Sequence, residues 1–193
     1  SLLRQLDQHG LGNSDHNLSF ALLTDFLDAP NECMAGDKEI LSQVEAGVRD
    51  LNRRYGSPAV QPFYLFHRRR RWNDAEGCWM GWERKRGKLA EFDRLLKGKE
   101  TNFSIMIGDL SKLPEIRYVI TLDADTDLPR CGARTLTGIL AHPLNLAEFT
   151  PDGGVVYSGY TVLQPRVQVK PMTGKRSLFW RVFTRDVGLD LYT

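Results

Sequence analysis

Apolar and polar positions change their period several times along the 193 residues. Asn17 to Thr24 (NLSFALLT) is a short apolar run ending in Asp25, with turn residues Asp28-Ala29-Pro30-Asn31 behind it, and predicts a buried strand followed by a loop. From Asp37 onward Leu41, Val44, Val48 and Leu51 recur at helical spacing, and Tyr55-Gly56-Ser57-Pro58 ends the pattern, which predicts an amphipathic helix. Pro62 to Phe66 (PFYLF) reads as a second strand running into a block of arginines. Leu89, Phe92, Leu95 and Leu96 mark another helix, closed by Gly98. Arg117 to Leu122 (RYVITL) predicts a third strand with the acidic tip Asp123-Ala124-Asp125-Thr126-Asp127. A helix is expected from about Ala133 to His142, stopped by Pro143, and Gly153 to Tyr157 and Thr161 to Val169 read as further strands. The rhythm β-α-β-α-β-α implies βαβ crossovers and therefore an α/β fold on a mainly parallel sheet.

Composition adds bounds. The length suits one domain, and 41% hydrophobic with 26% charged residues is ordinary for a folded globular chain. The sequence contains neither a long apolar run of membrane-spanning length nor a signal-peptide pattern. Starting at Ser1 and stopping at Leu191-Tyr192-Thr193, it reads as a piece of something longer, with truncation expected at the C-terminal side of one domain. Cys33, Cys78 and Cys131 are scattered and the four histidines show no zinc spacing, so neither a disulfide framework nor a zinc site is expected.

Charge is more informative. The net value is only +2, yet residues 67–88 hold eight Arg or Lys against three acids. That concentration points to an anionic partner: a diphosphate, a nucleic acid or a membrane surface.

In open parallel sheets ligands bind beyond the carboxyl ends of the strands. Three loaded tips are expected there: Asp25, the stretch His67 to Arg71, and Asp123 with Asp125. Carboxylates beside guanidinium groups make sense if a divalent cation and a diphosphate lie between them. Asp123 and Asp125, two apart at a strand end, suit Mg²⁺ or Mn²⁺, whose usual surroundings are hard oxygens and substrate phosphates. The plainer alternative is an acidic turn in which Thr126 and Asp127 cap the following helix. An EF-hand is excluded, since counting from Asp123 places Leu128 and Arg134 where Gly and Glu are needed. A haloacid-dehalogenase motif does not fit either, and neither a Walker A nor a G-x-G-x-x-G pattern occurs. Trp72, Trp79 and Trp82 among basic residues suit ring stacking and phosphate binding, with core packing as the alternative for two or more of them. Lys85 and Lys88 open a helix and are placed to meet a diphosphate near its N-terminus, whereas a solvated face of paired charges is the bland reading.

Taken together, SFALLTDFLDAP, PFYLFHRRRRWNDAEGCWMGWERKRGKLAEF, RYVITLDADTDLPR and GYTVLQPRV resemble the glycosyltransferase domain of cyclic β-1,2-glucan synthases, glycosyltransferase family 84, related to the processive family 2 transferases. The resemblance spans nearly the whole chain, as a single partial domain over 1–193 with its nucleotide-sugar-binding half at about 15–145. It implies a GT-A, Rossmann-type fold, UDP-glucose as donor, a β-1,2-glucan acceptor and inversion at the anomeric carbon. It implies, too, a place on the cytosolic face of a bacterial inner membrane, among transmembrane and hydrolase-like regions of a longer protein.

Carried onto these residues, the resemblance makes Asp25, Arg68, Lys85, Lys88 and Asp123 donor-binding, and Asp125 with Asp123 the holder of Mg²⁺ or Mn²⁺. Gln164 and Arg166 would line the donor or acceptor path, or else serve a strand end. An inverting transferase needs a general base. Asp186 and Asp190 do not match one, so the base is expected beyond Thr193, and the chain is expected to bind donor without turnover. The competing readings are a non-catalytic module gripping single-stranded nucleic acid through residues 67–88, and a scaffold for neighbouring membrane segments.

Overall fold

The computed structural model describes residues 2–57 and 60–165, which fall into two compact units, one ending at Thr135 and one beginning at Leu136. The chain runs α1 (Leu2–Gly12), β1 (Phe20–Asp25), α2 (Asp37–Tyr55), β2 (Phe63–Arg68), β3 (Arg71–Asn73), β4 (Cys78–Met80), α3 (Arg84–Leu96), β5 (Phe103–Ile107), α4 (Gly132–Leu140), β6 (Glu148–Phe149) and β7 (Val156–Ser158). The fold class is α/β, as the alternation of elements predicts.

In the first unit a three-stranded sheet has the order β1-β2-β5. Strand β2 is buried at all six positions because it lies between two apolar layers. Successive side chains of a strand point to opposite faces. Phe63 and Leu65 therefore join Val48 and Leu51 of α2, with Leu3 and Leu6 of α1 packed alongside. Tyr64 and Phe66 join Phe92 of α3 and Phe103 of β5 on the other face. A strand covered on both faces shows no alternation in sequence, which is why PFYLF is continuously apolar. Each such side chain contributes roughly 1.5–3 kcal/mol on burial.

The alternation continues to the strand tip and sorts the chemistry. In the parallel pairing of β1 with β2, Thr24 stands beside His67 and Asp25 beside Arg68. His67 falls on the α2 face and Arg68 on the α3 face. Strand β2 thus ends at Arg68, not at Phe66, and the first two members of the tip expected to follow it are strand residues.

Two further differences concern the sheet. Strand β5 pairs antiparallel with β2, so the sheet is mixed and not mainly parallel. The β3–β4 hairpin inserted between β2 and α3 adds a reversal that a plain βαβ crossover lacks. The predicted third strand, 117–122, carries no regular structure and no ladder, and Tyr118, Val119 and Leu122 are exposed. β-propensity expresses itself through a partner, and among the described residues the place beside β2 belongs to Phe103–Ile107.

The second unit holds the antiparallel pair β6–β7, with Tyr160 N–H donating to Asn145 O at 2.9 Å. The strand expected at Gly153–Tyr157 is present as Val156–Ser158. Residues 161–165 carry no strand, and the remainder of the stretch to Val169 lies outside the described residues. No helix among the described residues is long and apolar enough to cross a membrane.

Candidate functional site

At the carboxyl end of β1 and β2 the first feature is a buried ion pair. Arg68 Nε donates to Asp25 Oδ1 at 2.7 Å and Nη2 to Oδ2 at 3.0 Å, a bidentate arrangement. The arginine side chain is 2% exposed and the aspartate 11%. Arg68 Nη2 also donates to the carbonyls of Trp82 and Arg84, at 3.1 and 3.2 Å. One guanidinium thereby fixes the turn that leads into α3.

That turn is tight and strained. Glu83 and Arg84 have φ of 53° and 39°, the left-handed region that costs a side-chain-bearing residue about 1–3 kcal/mol. The glycines on either side exist for close approach. A Cβ on Gly81 would lie 2.9 Å from Asp25 Oδ2, and one on Gly87 would lie 1.9 Å from Trp82 O and 2.9 Å from Arg68 Nη1. The spacing of Gly81 and Gly87 in GWERKRG is therefore the imprint of the Asp25–Arg68 pair beneath it.

The turn delivers the basic first turn of α3 to the site. Lys88 Nζ lies 3.4 Å from Asp25 Oδ2, and Lys85 Nζ is paired with Asp123 of the acidic turn. Arg84 donates to Asp28 Oδ2 at 2.6 Å and Arg86 pairs with Glu83 at 2.9 Å. Of the residues singled out from sequence, Asp25, Arg68 and Lys88 thus form one set of contacts, and Lys85 with Asp123 forms a second, linked to the first through the α3 backbone. Asp125 follows two residues on, exposed, in a turn closed by Thr126 N–H donating to Asp123 O at 3.0 Å. Gln5 of α1 donates to Thr126 O at 2.9 Å and braces the same turn. Gln164 is exposed irregular chain in the second unit, and Arg166 lies outside the described residues.

The arginine block is divided between buried and exposed positions. Arg70 is 4% exposed and committed to structure: Nε donates to Leu27 O at 2.6 Å, Nη1 to Glu32 O at 3.1 Å and to Asp37 Oδ2 at 2.5 Å. Its guanidinium also covers the Phe26 ring at 4.7 Å. Hydrogen bonding from Arg70 holds the Asp37 carboxyl below its ordinary range. Arg69 and Arg71 are exposed.

His67, which sequence reasoning placed only as part of a tip, is 3% exposed between these two ion pairs. Nδ1 shares a 2.8 Å hydrogen bond with Thr24 Oγ1, the Phe26 ring stands edge-on at 4.3 Å, and Nε2 has no hydrogen-bond partner. Burial pushes its pKa down, against the pull of Asp25 and Asp37. Trp72 and Trp82 are half exposed, and Trp79 is tied by backbone bonds to Ala29 at 2.9 Å, so core packing does not account for the first two.

A metal has a partial fit here. Among the described residues no group of three or more His, Cys, Asp or Glu is gathered. Asp123 and Asp125 offer two hard carboxylates on an exposed turn, which suits Mg²⁺ or Mn²⁺ when ligand phosphates and water complete the shell. It does not suit a metal held by protein alone.

No family model matches the chain. The cyclic beta-(1,2)-glucan synthase NdvB of Rhizobium meliloti (strain 1021) is 42% identical over 194 residues, an alignment covering 99% of this chain and 7% of that protein. The chain therefore spans only a small part of the length of the curated relative it matches. Along nearly its whole length the chain is thus similar to one segment of a cyclic β-(1,2)-glucan synthase, in agreement with the resemblance that its motifs carry.

Proposed function

We propose that this chain is the donor-binding part of an inverting UDP-glucose-dependent glucosyltransferase that builds cyclic β-1,2-glucan, in glycosyltransferase family 84 with a GT-A-type core. The observation that carries the reading is that Lys85 and Lys88, neighbours on α3, pair respectively with Asp123 of the acidic turn and with Asp25 at the carboxyl end of β1. Lys85 on the first turn of α3 and Lys88 one turn on lie near a helix N-terminus, where a diphosphate is stabilised by charge and by backbone N–H groups. Asp123 and Asp125 supply the carboxylates of a Mg²⁺ or Mn²⁺ site that the diphosphate completes. When bound, the cation acts as a Lewis acid that offsets charge on the departing UDP.

The chain's own contribution is positioning. Arg68 holds Asp25 and the turn through Arg84, Asp25 holds Lys88, and Lys85 reaches the acidic turn. Asp25 and Arg68 act on the donor chiefly through this support. Gln164 and Arg166 belong to the donor or acceptor path in this reading, and the base that deprotonates the acceptor hydroxyl comes from residues beyond Thr193. The chain accordingly binds donor without turnover. In this reading the chain belongs to a longer protein with transmembrane and hydrolase-like regions, on the cytosolic face of an inner membrane; the 7% share of the glucan synthase that it matches supports the longer protein.

A single-stranded nucleic acid is the weaker reading. Backbone phosphates are bound by accessible Lys and Arg, whereas Arg68 and Arg70 are buried and committed to carboxylates and backbone carbonyls. Calorimetry of UDP-glucose with and without Mn²⁺, on the chain and on Asp125→Asn, tests the proposal. Metal-dependent binding that disappears in Asp125→Asn is expected. Binding of single-stranded RNA with none of UDP-glucose would overturn it.

A further inference from the structure

Lys85 and Asp123 come from chain segments 38 residues apart, and their side chains are 62% and 55% exposed. An exposed pair is held weakly and opens readily. Lys88 is less free, since it shares Asp25 with the buried Arg68. An ammonium has three donors and no acceptor, so Lys85 neutralises Asp123 without contributing a ligand to any metal.

We infer that Lys85 is the resident counter-ion of the acidic turn, standing on Asp123 where a divalent cation would sit, and that cation and nucleoside diphosphate enter by exchange. This rests on the nucleotide-sugar reading above. A cation arriving alone meets one free carboxylate, Asp125, and must displace an ammonium from the other. A diphosphate arriving alone finds Lys85 already neutralised and two carboxylates repelling it. Arriving together, the phosphate takes Lys85 and the cation takes Asp123. Each ligand removes the obstacle to the other, and by linkage each raises the other's affinity by the same factor.

The test titrates the chain with Mn²⁺ alone, followed by the spin-resonance signal of free Mn²⁺, then with UDP alone, then with both. Lys85 is exposed, so Lys85→Met leaves the fold intact, which circular dichroism checks. In Lys85→Met, Mn²⁺ alone is expected to bind about threefold tighter, the scale of an exposed pair removed. UDP in the presence of Mn²⁺ is expected to bind more weakly, and the coupling factor between the two ligands to fall. Lys85→Arg keeps the charge and is expected to keep the wild-type affinity for Mn²⁺ alone. Unchanged or weaker Mn²⁺ binding by Lys85→Met overturns the inference, as does tightening in Lys85→Arg or unchanged UDP affinity in Lys85→Met. Failure of the wild-type chain to bind UDP under any condition counts against the nucleotide-sugar reading instead. The comparison with Mn²⁺ alone still decides whether Lys85 stands on Asp123.

Discussion

Two stretches of one basic segment carry the same chemistry to opposite ends. At the tip of β2, Arg68 and Arg70 are buried and wholly committed, each to a carboxylate and to backbone carbonyls. On the first turn of α3, Arg84, Lys85 and Arg86 make exposed pairs with a single acid apiece. Burial decides the difference. A guanidinium out of water must have its charge and its donors matched, so it becomes part of the fold. An exposed cation trades partners at little cost and is available to a ligand. Arg68 and Arg70 therefore build the platform, and Lys85 is left to serve the site.

The largest effect is expected where the buried side of that comparison is broken. Arg68→Met leaves Asp25 buried beside only Lys88 and frees the 81–87 turn, and a loss of about 3–5 kcal/mol in a denaturant titration is expected. Arg68→Lys should recover little, because an ammonium cannot reproduce the bidentate pair. Next comes Gly87→Ala. Alanine in place of glycine within a helix ordinarily stabilises by up to about 1 kcal/mol. Here the Cβ would strike Trp82 O, and destabilisation of about 1–3 kcal/mol is expected by the same titration.

His67 sharpens the comparison from the side of pH. Its folded pKa lies below the ordinary 6.5, because burial disfavours the imidazolium. Below that value the unfolded chain binds a proton that the folded chain resists, so stability falls as pH drops below about 6.5 and levels off under the folded pKa. The lowered Asp37 carboxyl acts only below its ordinary 3.8, in a separate window. Urea midpoints at pH 8 and pH 5 should differ less in His67→Gln than in the parent chain. The smallest effect belongs to the exposed side. Asp123→Asn is expected to change stability by no more than about 0.5 kcal/mol while abolishing Mn²⁺-dependent UDP binding, a separation that Arg68→Met cannot show.

Much of this was legible in the sequence, and the remainder was hidden for identifiable reasons. Helix α2 was readable because Leu41, Val44, Val48 and Leu51 keep period 3.6 up to a Gly-Ser-Pro stop. Helix α1 was missed: it has few turns and two glycines, and it gains its stability by packing Leu3 and Leu6 against the α2 layer. Strand β5 did leave a signal, the alternation of Phe103, Ile105 and Ile107 with Ser104 and Met106. RYVITL shows the converse, high strand propensity without a ladder. At the site, the tips Asp25 and Asp123 were visible as strand or run endings. The division of the arginines was not, because it depends on the carboxylates and carbonyls that Arg68 and Arg70 meet in distant segments. Nor were the partners, since Asp25–Arg68 and Lys85–Asp123 join segments 43 and 38 residues apart.

The paired state of the basic segment has a kinetic consequence. Eight cations against three acids would project a strong positive field if they stood alone. Folding brings Asp25, Asp28, Asp37 and Asp123 against them and leaves the neighbourhood close to neutral. Beyond a Debye length of about 8 Å at physiological salt, an approaching anion meets little net attraction. Encounter with a nucleotide should thus proceed at an ordinary, unsteered rate that varies little with ionic strength, and discrimination should reside in how slowly the correct ligand leaves.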